Sequence, residues 1–167
     1  MLSQTVLDAI NQQIKHEFDS AYVYLSMVAY FEAEDLPGMA QWMRAQAQEE
    51  LSHGMRLFDY INDRSGRVVL QVVDVPPAEF ESPLQAFESA LNHERKITLL
   101  IHELYGVAQK ENDLPTQVEL QWFITEQVEE EKSADLIVQH LKRIGNDQPA
   151  LLLLDRELGQ RKMEDEG

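Results

Sequence analysis

The sequence predicts an all-α protein: a four-helix bundle with one long crossover connection and a short fifth helix at the C-terminal end. Three observations predict it. Apolar residues recur at steps of three and four along four long stretches. Proline and glycine clusters punctuate those stretches. One connection, of roughly 18 residues, far exceeds the usual length between packed helices. A chain of 167 residues makes one domain, 1–167, with room for a substantial core.

The first helix is expected over about 3–33, with Leu7, Ile10, Ile14, Ala21, Tyr24, Val28 and Phe31 inward, and it stops at "EDLPG". The second, 38–64, turns Met39, Met43, Leu57 and Tyr60 inward and ends at Ser65-Gly66. "RVVLQVVDVPPAEFES" is rich in valine and contains Pro76-Pro77, so an extended connection is expected, strand-like around 68–73. Ser82 as cap and Pro83 in the first turn open the third helix, 83–110, with Leu84, Phe87, Leu91, Thr98, Ile101 and Tyr105 on one face. After "ENDLPT" the fourth helix covers 116–144, with Leu120, Phe123, Ala134, Ile137, Leu141 and Ile144 inward. "GNDQP" separates it from a fifth at 149–160. Two short turns make helices one and two antiparallel, and likewise three and four. The long connection spans up to ~55 Å at ~3.3 Å per residue, more than the ~40 Å length of the second helix. Helices two and three therefore run parallel.

The formal charge of −16 disfavours nucleic acid and anionic membranes and favours cations. The absence of cysteine excludes disulfides, thiolate metal sites and thiol nucleophiles. No apolar run is long enough to span a membrane, and the N-terminus enters a polar–apolar helical pattern without a signal-like core. A cytoplasmic protein is expected.

Each helix breaks its apolar stripe near the middle. The rhythm of Ile10, Ile14 and Ala21 requires position 17, which is Glu17. Met43 and Leu57 bracket Glu50 and His53; Leu91 and Thr98 bracket Glu94; Phe123 and Ala134 bracket Gln127 and Glu130. Counted from the two short turns, these residues share one level of the bundle to within ~5 Å. Four carboxylates in a core cannot all stay ionised uncompensated. No Lys or Arg of the four stripes faces inward at that level, so protons or bound cations must supply the balance. His53, three residues after Glu50, shares its face. Carboxylates with one imidazole suit Fe(II), Mn(II) or Zn(II). For any single one of these residues, satisfied core polarity is an adequate account. It is a poor one for six potential ligands at one level.

"KHEFDSAYVYLSM" around Glu17, "EELSH" at 49–53, "NHE" at Glu94 and "EQVEEE" at 126–131 resemble the ferritins, most closely the non-haem bacterial ferritins. The likeness covers nearly the whole chain, crossover and fifth helix included. The resemblance implies that Glu17, Glu50 and His53 hold one iron, that Glu94 and Glu130 hold a second, and that Glu50 bridges them. Gln127 would be a weak ligand or hydrogen-bond partner, where related di-iron proteins carry a second Glu-x-x-His. Tyr24 matches the family's tyrosine near the iron pair, as an electron or hydrogen-bond donor or simply as packing. Trp122 matches a position open to oxidation, although packing is the weightier account. Glu49, Glu126 and Glu129 match a third iron site, with a solvated acidic face as the competing reading. His16, His93, His102 and His140 are expected to be surface or packing residues.

The implied function is a ferroxidase that oxidises Fe(II) with O2 or hydrogen peroxide and stores ferric mineral inside a homo-oligomeric shell of 24 subunits. The run of leucines in "ALLLLDREL" fits contacts with neighbouring subunits. The alternatives are a non-storing di-iron or di-manganese oxidase or peroxidase, and a structural bundle with vestigial buried acids. Haem is not expected, because Leu51 stands where haem-binding relatives carry methionine. Gln117 and Leu120 stand in place of acidic channel residues, and Ala45, Gln48 and Ser52 in place of outward nucleating carboxylates.

Overall fold

The computed structural model describes residues 2–162. Its elements are α1 (Gln4–Ala33), α2 (Pro37–Asp63), α3 (Pro83–Lys110), α4 (Leu114–Ile144) and α5 (Gln148–Leu158). The boundaries follow local chemistry. Ser3, Ser82, Asp113 and Asp147 each accept a hydrogen bond from a first-turn amide of the helix they precede. At the ends of α1, α2 and α3 the chain passes through a left-handed residue, Asp35, Ser65 and Asn112. There, paired backbone bonds such as Leu36 N to Phe31 O and Asp35 N to Glu32 O satisfy the last carbonyls.

The valine-rich connection forms no strand among the described residues. It has no partner strand to pair with, and β propensity needs one. It is an extended strap along α1 instead. Val69 N donates to Asn11 Oδ1 (2.8 Å), Asp74 N to Asp19 Oδ1 (2.8 Å), and Ser26 Oγ to the Pro77 carbonyl (2.5 Å). These contacts advance along α1 from its start towards its end, so the strap returns the chain to the end of the bundle where α2 began. α2 and α3 are therefore parallel.

The core divides into two apolar clusters. One packs Phe31, Met39, Trp42 and Phe87 with Leu141 and Leu154. The other packs Ile10, Ile14, Leu57 and Ile61 with Ile97 and Phe123. The polar residues singled out in the sequence lie on the stretches between them. Each cluster clamps one end of the four helices, which holds the intervening polar level in register.

α5 docks against the start of α2. α2 has no side-chain cap of its own at Leu36. Asp155 of α5 supplies one, accepting from Met39 N at 2.8 Å. Gly38 makes this approach possible: a Cβ there would fall 1.7 Å from the Asp155 carbonyl oxygen. Gly38→Ala is expected to push α5 off α2, exposing Leu154 and Leu158, and to destabilise the protein by about 1–3 kcal/mol. A denaturant midpoint equal to wild type would count against that account. Leu152 and Leu153 are exposed while Leu154 is buried, so the leucine run is divided between this bundle and its surface.

Leu120 is 1% exposed within the second cluster, inward as its helical phase with Phe123 predicts. One position corrects the sequence reading: Ala45 is 1% exposed, so it is not an outward position.

Candidate metal centre

Four helices deliver the polar level: Glu17 and Tyr24 from α1, Glu50 and His53 from α2, Glu94 from α3, Gln127 and Glu130 from α4. All seven are buried, none more than 6% exposed. Ligand atoms of Glu17, Glu50 and His53 lie within 4.8 Å of one another, and so do those of Glu50, Glu94 and Glu130. Glu50 belongs to both groups. A third group joins His53 and Glu130 to Glu126.

The hydrogen bonds divide the carboxylate oxygens unequally. Gln13 Nε2 donates to Glu17 Oε1 at 2.7 Å, which leaves Glu17 Oε2 without a donor. Gln46 Nε2 donates to Glu130 Oε2 at 2.8 Å. Glu94 accepts from the Tyr24 hydroxyl on Oε1 and from Gln127 Nε2, at 3.2 Å, on Oε2. Neither oxygen of Glu50 has a hydrogen-bond donor. When one of the two acids is protonated, Glu17 can share that proton with Glu50. A buried carboxylate with both oxygens unmatched sits badly in a protein interior and well between two cations.

Electrostatics follow from this geometry. Burial, then repulsion from Glu94, Glu17 and Glu130, pushes the Glu50 carboxyl well above the usual range. Burial pushes Glu94 up to about 7, against the opposing hydrogen bonds from Tyr24 and Gln127. Burial and the neighbouring Glu94 push Glu130 up to about 8, against the bond from Gln46. Tyr24 is held neutral by burial and the surrounding acids, which fixes it as a hydroxyl donor to Glu94. Near neutral pH, without metal, this level holds protons.

Trp122 packs edge-on against the His53 ring, with centroids 5.3 Å apart, and the Arg56 guanidinium lies 4.1 Å from the centroid of the Trp122 ring. Its position against the imidazole accounts for it structurally. Of the outer acids, Glu126 alone joins a group of close ligand atoms among the described residues. The Glu129 side chain is 62% exposed and pairs with Lys132 at 3.4 Å. Glu49 forms an ion pair with Arg161 at 2.7 Å. His93, partly buried and lowered to about 4 by burial, bonds Ser20 Oγ at 2.7 Å away from the ligand groups.

Sequence reasoning missed Gln13, Gln46 and Arg161. The two glutamines stand four residues before Glu17 and Glu50, one helical turn back on the same face. That spacing is the signal that would have found them. Arg161 comes from beyond α5, so no helical stripe contains it.

A family model described as the Ferritin-like domain matches residues 7–144. The chain belongs to the ferritin family. It is 38% identical to the bacterial non-heme ferritin of Staphylococcus aureus, over 99% of this chain and all of that one, and to the same degree to that of Staphylococcus haemolyticus. Among solved ferritins, an engineered closed form of the Archaeoglobus fulgidus ferritin is 49% identical with a TM-score of 0.97, covering 98% of this chain and 100% of that one. The open pore ferritin of the same archaeon is 49% identical with a TM-score of 0.96, covering 97% and 100%. Across such identity the bundle, crossover and fifth helix are the family's fold.

Proposed function

We propose that this ferritin is an iron store with ferroxidase activity, and that Glu17, Glu50, His53, Glu94 and Glu130 bind its substrate as a pair of Fe(II) ions. The observation that carries the reading is Glu50: fully buried, without a hydrogen-bond donor on either oxygen, and common to two ligand groups. A carboxylate so placed offers one oxygen to each of two cations.

Each Fe(II) gives up one electron. The pair together reduces O2 to hydrogen peroxide, or hydrogen peroxide to two waters, with uptake of two protons in either case. Loading the pair first displaces the protons that Glu50, Glu94 and Glu130 hold near neutrality, so binding releases protons and tightens as pH rises. Tyr24 and Gln127 orient Glu94, Gln46 orients Glu130 and Gln13 orients Glu17, leaving one oxygen of each of the last two free for metal. Only one imidazole serves the pair. The second ion would be held by carboxylates alone.

Storage needs a closed container, supplied by self-assembly into a shell of 24 subunits. Two surfaces support it. A groove of about 640 Å³ between α1 and α2, lined by Phe18, Tyr22, Leu25 and Leu51, is apolar and open, and Leu152 and Leu153 are exposed on α5. Leu51 there leaves no methionine for haem. No described helix is long and apolar enough to cross a membrane.

Anaerobic titration with Fe(II), followed by O2, tests the reading. Two or more ions per subunit and a transient diferric absorption are expected. A protein that takes up iron only stoichiometrically and forms no mineral would instead be the non-storing oxidase. One that binds no Fe(II) would be a structural bundle. Sedimentation at the mass of a monomer or dimer would contradict the shell.

A further inference from the structure

Beyond the end of α5, at Gly159, the chain folds back along α2. Gly159 itself lies against Gly38; a Cβ on it would sit 3.0 Å from the Gly38 Cα. Gln41 Nε2 donates to the Arg161 carbonyl at 3.3 Å, and the Arg161 guanidinium carbon lies 4.7 Å from the centroid of the Trp42 ring. Arg161 Nη2 donates to Glu49 Oε2 at 2.7 Å, and its Nη1 is buried without a partner. The side chains of Arg161 and Glu49 are 24% and 16% exposed, so this pair is screened less than a surface one. Glu49 stands on α2 three residues after Gln46, which donates to Glu130, and four before His53, so it shares their helical face beside the group formed by His53, Glu126 and Glu130.

A guanidinium suits this edge. It stays charged at any accessible pH, is weakly hydrated, lies flat on an aromatic face and holds a carboxylate through a directed N–H bond. It is also tethered, so it competes with a mobile cation for the same oxygen at a fixed, high local concentration.

We propose that Arg161 is a positioning residue that sets the ion capacity of the centre. It holds Glu49 Oε2, so a third divalent cation at His53, Glu126 and Glu130 gains that oxygen only by displacing the guanidinium. The proposal rests on the two-ion reading above, and it makes Arg161 and the third ion competitors for Glu49 Oε2.

Calorimetric titration of the assembled protein with Zn(II), which cannot be oxidised, separates the two readings. With Arg161→Ala, the first two ions are expected to bind as in wild type, and a third about tenfold more tightly, which corresponds to ~1.4 kcal/mol. Arg161→Lys keeps the charge and loses the ring contact and the fork, and is expected to fall between. Adding Glu49→Gln to both the wild type and Arg161→Ala should abolish the difference between them. A third step that is unchanged or weaker in Arg161→Ala overturns the proposal, as does a uniform change at all three steps, which would mean mere loosening of the segment. Wild-type protein that fails to bind even two ions would instead overturn the two-ion reading.

Discussion

Replacing Glu50 by glutamine is expected to slow Fe(II) oxidation by about 100-fold or more and, at the same time, to raise the Tm of the metal-free protein at pH 8. Both effects come from one geometry. Loss of residues that merely orient a metal ligand typically costs about 10–100-fold, and Glu50 is the carboxylate shared by both ligand groups. An amide cannot offer an anionic oxygen to each of two cations. In the metal-free protein the same carboxylate is 1% exposed, has no donor on either oxygen, and faces Glu17, Glu94 and Glu130. A neutral isostere removes the cost of either burying that charge or keeping it protonated at pH 8, and can donate to those acids. Replacing unfavourable buried charge commonly stabilises by about 1–4 kcal/mol, which in a domain of this size is a rise of roughly 3–10 °C. Stopped-flow absorbance and calorimetry measure the two quantities on the same sample. A variant with wild-type kinetics, or one less stable than wild type at pH 8 without metal, would remove Glu50 from the bridging position.

The bundle was legible because a four-helix core imposes one period on every helix. Ile10, Ile14, Met43, Leu57, Phe87 and Leu141 all occupy the core positions that three-and-four spacing assigns them. The polar level was legible for the same reason, since six potential ligands interrupted four independent stripes at matching distances from two turns. What the pattern could not carry is contact between segments whose relation is set by docking. Arg161 reaches Glu49 across 112 positions because Gly38 lets α5 lie against α2. No periodicity encodes that approach. The valine-rich stretch misled in the opposite direction: Val69, Val72 and Val75 are largely exposed, so their β propensity had no sheet to act in. Leu120 is instructive as well. Its phase with Phe123 put it in the core, and it lies there. Among the outer acids, Glu126 and Glu129 stand three positions apart in one motif, yet Glu126 joins His53 and Glu130 while Glu129 stands in solvent beside Lys132.

Without metal, the protein is expected to lose stability as pH rises from about 5.5 to 8.5, and saturating Zn(II) is expected to reverse most of that loss. The sign follows from the direction of the shifts. The carboxyls of Glu94 and Glu130 ionise near 4.5 in the unfolded chain and at about 7 and about 8 in the fold. Between these values the folded state holds more protons than the unfolded state, so folding stability declines with pH. The contribution is fully present below about 4.5 and is gone once pH has passed the folded values. One pKa unit corresponds to ~1.36 kcal/mol, so Glu94 alone accounts for a loss on the order of 3 kcal/mol, with Glu50 shifted in the same direction. This slope is opposite to that of a salt-bridged carboxylate such as Asp113, which Arg64 holds below its usual range and which stabilises as pH rises through the acid region. Metal substitutes two divalent charges for the displaced protons, so its affinity grows over the window in which the metal-free fold weakens. Tm measured at pH 5.5, 7 and 8.5, with and without Zn(II), checks both halves. A flat or rising metal-free profile would mean that these acids are compensated by something other than protons. A falling profile that Zn(II) leaves unchanged would mean that the cation binds elsewhere. Glu94→Gln should flatten the metal-free slope while also weakening Zn(II), because the group that costs stability when ionised is the group that holds the substrate.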